Sequence, residues 1–145
     1  VEINPLQLSH SFGLGCLHTI IAQGATAIIF RNSINLKAIL DEAISNRATG
    51  FVGVPATFQS ILDNYKEDFR KAGKNFRYLL TNSVPMPKEQ IKEILNLFPL
   101  TNFLSSLKVI PNHFSSVVST YTSALVLINL FIMLGSKNSF ASWLI

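Results

Sequence analysis

The sequence predicts an α/β fold over roughly its first hundred residues, with a mostly parallel sheet and crossover helices, followed by an apolar C-terminal tail expected to be helical. Three observations lead there. Short apolar runs alternate with segments whose apolar residues recur at helical spacing. Gly and Pro punctuate the junctions between them. Charge is also confined: all eight acidic residues lie between Glu2 and Glu93, and after Glu93 only Lys108 and Lys137 carry charge. The boundary implied by that shift divides the chain into an α/β unit over 1–103 and a tail over 104–145.

The elements follow in order. Residues 26–30 (TAIIF) form a short apolar run after Gly24, as expected of a buried parallel strand. Asn35 is placed to cap a helix with Leu36, Ile39, Leu40 and Ala43 on one face and Asp41 and Glu42 outside. Residues 49–54 are a second strand, stopped at Pro55, which suits the first turn of a helix. Phe58, Ile61, Leu62 and Tyr65 mark the buried stripe of that helix. Residues 66–75 read as a polar, charged connection with partial helical character. Residues 76–81 are a third strand. Pro87 opens another helix, on which Ile91, Ile94, Leu95 and Phe98 share a face, and Pro99 ends it. A fourth strand begins within 100–103.

Composition bounds the function. At 145 residues the chain is about one domain long, and at 48% hydrophobic and 14% charged it is poorer in charge than a soluble domain with about 25%. Its 12 Lys and Arg form no basic run, which argues against nucleic-acid binding. Cys16 is the only cysteine, so no internal disulfide is possible. Its apolar neighbours mark a buried structural thiol rather than a nucleophile, and a reducing, cytoplasmic compartment fits. His18, beside Leu17 and Ile20, is expected to be structural. No pair of His, Cys, Asp or Glu shows metal-ligand spacing. The start at Val1, without a signal-like leader, reads as an opening inside a larger protein.

Parallel sheets bind ligands in loops beyond the carboxyl ends of their strands. Three segments are expected at that edge: 9–13 (SHSFG), 53–57 (GVPAT) and 81–87 (TNSVPMP). Each follows a strand-like run and precedes a helix-like one.

The same segments carry a family resemblance. Residues 5–14 (PLQLSHSFGL) resemble the PL…HS-aromatic-GL segment of AMP-binding, adenylate-forming acyl-CoA synthetases. Gly24-Ala25 before an apolar run resembles a strand start of that family, and 53–58 (GVPATF) resembles its GVP turn. Residues 76–87 (FRYLLTNSVPMP) are similar to its LR…GGAPLP segment, with Asn82 and Ser83 in place of the two glycines. The order and spacing of all four agree, over 1–103.

This resemblance implies an internal fragment of an ATP-dependent acid–thiol ligase. Such enzymes use ATP and Mg²⁺ to convert a carboxylic acid to an acyl-adenylate, then pass the acyl group to coenzyme A or a carrier thiol. By resemblance, His10, Gly53, Val54 and Pro55 line the acyl and adenylate pocket. Thr81, Asn82, Ser83, Val84 and Pro85 form the adenine-binding loop, and Arg31 lies where some relatives contact the thiol donor. For His10 and the 53–55 turn, the alternative is plain helix-start and strand-end packing.

Other family parts have no counterpart here. The phosphate-cradling loop, the aromatic-Gly-x-Thr-Glu magnesium motif expected just after Phe103, and the small domain with its catalytic Lys are all missing. No catalytic residue is therefore assigned, and the fragment is expected to be inactive alone. In the tail, residues 117–134 are an uncharged stretch of 18, at the lower bound for a membrane span. A shifted reading frame, a membrane anchor and a buried core segment all remain open for it. The competing function is a non-catalytic binding or membrane-associated protein built on a degenerate synthetase core.

Overall fold

The computed structural model describes residues 1–31, 35–82 and 84–105. Five parallel strands form one sheet: β1 (Glu2–Asn4), β2 (Ala27–Ile29), β3 (Gly50–Gly53), β4 (Tyr78–Thr81) and β5 (Asn102–Ser105), in the order β2-β1-β3-β4-β5. The connections are helical: α1 (Ser11–Ala22), α2 (Leu36–Ser45), α3 (Pro55–Asn64) with α4 (Lys66–Ala72), and α5 (Lys88–Leu97). The parallel α/β architecture is thus the one expected. The tail span 117–134 lies outside the described residues, and no described helix is long and apolar enough to cross a membrane.

Side chains alternate across the pleat and sort into two layers. Ile3, Phe51, Leu79 and Phe103 point to one face, where α2, α3, α4 and α5 supply Ile39, Leu40, Phe58, Ile61, Phe69, Ile94 and Phe98. Phe51, Phe58, Phe69, Phe76 and Phe98 pack there ring to ring at centroid distances of 4.9–6.2 Å. Val52, Tyr78 and Leu80 point to the other face and meet Phe12 and Cys16 of α1. Cys16 is buried, and burial, then the charge of Glu2, push its thiol up, so it is the inert thiol expected.

Several details differ from the sequence expectations. Among the described residues the 26–30 segment is an edge strand, not a buried one: β2 has one neighbour there, β1, and Ile29 is 51% exposed. β1, β3 and β4 lie inside, and β1 is three residues with no periodicity to bound it. The partial helix expected within 66–75 is α4, but its Phe69 is wholly buried, packed against Phe51, Phe58, Phe76 and Phe98. Two apolar positions in a seven-residue segment are too few to register as a stripe. Leu95 leaves the buried face of α5 at 42% exposure, and His18 is exposed on α1 rather than packed. The fourth strand does start within 100–103 as expected, at Asn102, and runs to Ser105.

Candidate functional site

The strand order reverses between β1 and β3. From β1 the chain leaves through α1, on one face, to β2; from β3 it leaves through α3, on the other face, toward β4. Loops departing in opposite directions open a crevice at the carboxyl ends of those two strands, the usual ligand position in open α/β sheets.

A cleft of about 250 Å³ occupies that point, lined by Pro5, Leu6, Gln7 and His10 after β1 and by Val54 and Thr57 after β3. Its lining is mostly apolar, with the imidazole, an amide and a hydroxyl as the polar groups. His10 is the residue before α1 and does not cap it: its side chain accepts no backbone N–H, while its own backbone bonds Gln7 and Leu14. The exposed imidazole is therefore not committed to the helix start. The α3 start is likewise without a side-chain cap, and Pro55 sits at its first turn. Two helix N-termini, each with a positive dipole end, thus flank the cleft.

The structure brings His10 and Val54 together as lining residues, with Gly53 and Pro55 buried directly behind Val54. A Cβ on Gly53 would stand 3.1 Å from the Phe58 ring, so this turn lies tight on α3. The third loop follows β4, next to β3 on the same edge of the sheet, but none of its residues lines the cleft. Thr81 closes β4, wholly buried and with its hydroxyl unpartnered; Asn82 is half-buried, and Val84 and Pro85 are exposed. Ser83 lies outside the described residues. Arg31 follows β2, on the side of β1 away from β3, and does not reach the cleft lining.

Two residues that the sequence reading passed over hold these loops. Asn4 and Gln90 are buried amides, bonded to the backbone of the first loop and of the α3 start respectively. A polar residue closing an apolar strand, and a Gln on the buried face of an amphipathic helix, were the available signals.

The signature of the family described as "AMP-binding enzyme" matches residues 1–106. The chain belongs to the AMP-binding enzyme family. No curated protein sequence matches it. Among solved structures, this AMP-binding chain is similar to IdnL1, with 16% identity and a TM-score of 0.65 over 72% of the chain and 22% of that protein. It is also similar to the luciferase-like enzyme of the nonluminescent mealworm Zophobas morio, with 22% identity and a TM-score of 0.63 over 74% of the chain and 25% of that enzyme. The inhibitor-bound N-terminal domain of FACL13 from Mycobacterium tuberculosis gives 19% identity and a TM-score of 0.62, over 74% and 26%. At these identities the likeness is one of fold. The AMP-binding chain spans about a quarter of the length of these structures.

Family members use ATP and Mg²⁺. Among the described residues of this AMP-binding chain, no group of three His, Cys, Asp or Glu stands together to hold a metal ion. The cleft lining, Pro5, Leu6, Gln7, His10, Val54 and Thr57, offers no carboxylate to a magnesium ion.

Proposed function

We propose that the chain is one wall of the substrate site of an ATP-dependent acid–thiol ligase, a piece that does not turn over alone. In this reading the ligand is a carboxylic acid activated as its acyl-adenylate, and the acceptor is coenzyme A or a carrier thiol. The observation that carries it is the cleft at the reversal of strand order, with His10 on one side and Val54 and Thr57 on the other.

The lining residues take roles that their positions support, and the 81–85 loop and Arg31 take theirs from the family resemblance. Leu6, Pro5 and Val54 give the acyl chain an apolar surface. The His10 imidazole hydrogen-bonds the polar head of the acyl group, and the helix starts at His10 and Val54 add favourable potential for its negative charge. The loop at Thr81, Asn82, Ser83, Val84 and Pro85 abuts adenine, and Arg31 is assigned to the thiol donor's phosphate. Positioning is what such a wall contributes. The groups that would stabilise charge at the phosphate and metal are not among these residues. The lone buried thiol fits a cytoplasmic setting.

Isothermal titration of the full chain with a non-hydrolysable acyl-adenylate analogue tests the reading, alone and with the missing synthetase segments added. Saturable binding, strongest in the complemented mixture, is expected; in a separate assay with ATP, Mg²⁺ and a carboxylic acid, the chain alone should release no pyrophosphate. No heat of binding in either mixture removes the pocket from consideration.

A further inference from the structure

The two walls of the cleft are tied down by side chains that do not line it. Asn4 closes β1 and is completely buried. Its Nδ2 donates to the Gly13 carbonyl at 3.0 Å, and its Oδ1 accepts the Leu6 N–H at 3.3 Å. The amide thus straps the end of β1 to the first turn of α1 and holds the intervening loop, which carries Pro5, Leu6, Gln7 and His10, against that helix. Gly13 makes the seat possible: a Cβ there would fall 2.6 Å from the Gln7 carbonyl oxygen and 3.0 Å from Leu6 Cβ.

Gln90 serves the opposite wall. It lies on α5, is 5% exposed, and its Nε2 donates to the Pro55 carbonyl at 2.8 Å. Pro55 opens α3, between the lining residues Val54 and Thr57. One buried amide therefore fixes each of the two turns, from two elements outside the cleft. Apolar residues would fill either position without the need for a partner, so the polar choice marks geometry that is being specified.

We propose that Asn4 and Gln90 are positioning residues, which together set the separation of the His10 turn and the Val54–Thr57 turn and so the width available to an acyl chain. The acyl ligand rests on the function proposed above; the positioning does not.

The test compares the parent chain with Asn4→Ala, Asn4→Asp and Gln90→Leu. Amide hydrogen exchange is read by NMR, and affinity for an acyl-sulfamoyl adenosine by titration. Asn4→Ala should speed exchange at Leu6 and His10 at least ten-fold, and Gln90→Leu should do so at Thr57 and Phe58, whose N–H groups both bond the Val54 carbonyl. Leu79 and Leu80, inside the sheet, should keep the parent rate. Asn4→Asp retains the acceptor for Leu6 but can donate to the Gly13 carbonyl only when protonated, so its exchange should approach the parent rate at low pH and speed up as pH rises; Gln90→Leu carries the comparison if the Asn4 variants do not fold. Analogue affinity should drop ten-fold or more in both loosened variants. Exchange that rises equally at every protected amide, no local change, or unaltered affinity in a loosened variant overturns the proposal. If the parent binds no analogue while the local exchange pattern holds, the acyl-pocket reading fails and the positioning role stands.

Discussion

Glu2 shows how one buried residue makes stability depend on pH. It sits on β1 at 3% exposure and accepts a hydrogen bond from the Tyr78 hydroxyl, while its second oxygen has no partner. Burial pushes its carboxyl up from 4.5 to about 7, against the opposing pull of the Tyr78 bond and the Val1 amino group. The folded chain therefore keeps a proton, between about pH 4.5 and 7, that the unfolded chain has released. Its stabilisation is complete below that window, is lost as pH rises through it, and amounts to roughly 3 kcal/mol. Urea midpoints measured from pH 4.5 to 7.5 should fall across the window, and Glu2→Gln should remove most of the slope. Thr81 makes a complementary case. Its buried hydroxyl bonds nothing, so Thr81→Val should leave the fold intact and raise the urea midpoint, by about 1 kcal/mol in stability.

At the level of elements, the register explains why one strand needs a glycine. Glu2, Gly50 and Tyr78 are Cα partners across β1, β3 and β4. Tyr78 lies over the missing side chain of Gly50 to reach Glu2, and a Cβ there would stand 2.4 Å from the ring. Gly50→Ala should cost about 1–3 kcal/mol by thermal or urea denaturation, through overpacking. The start of α2 is a separate case. Asn35 accepts the Ala38 N–H at 3.0 Å, the capping role its position in the sequence announced. Asn35→Ala should cost about 1 kcal/mol by the same measurement. Gly24, with φ at +64°, ends α1 and turns the chain into β2.

At the scale of the fold, among the described residues the sheet ends in two strands with one neighbour each, β2 and β5. Ile29 on β2 and Ile21 on the adjoining α1 are 51% and 63% exposed. Unpaired strand edges flanked by apolar side chains favour association. Ile29→Lys should therefore reduce the apparent mass in light scattering at high concentration without lowering the melting temperature.

Local chemistry in the sequence carried the parallel α/β class, four strands and the helix starts at Asn35 and Pro55, because turn residues and the helical repeat act over a few positions. It also marked the turns at His10, Gly53 and Asn82, since residues at strand ends need distinctive backbone. It marked a strand-like run before residue 9 but could not bound β1, whose three residues hold no period, nor announce the burial of Phe69 in a charged segment. The pairing of Glu2 with Tyr78 and the hold of Asn4 and Gln90 on the cleft walls were equally out of reach. Those contacts join residues 9 to 76 positions apart. They exist only once the strand order has reversed and five strands have come side by side, so the fold alone decided them.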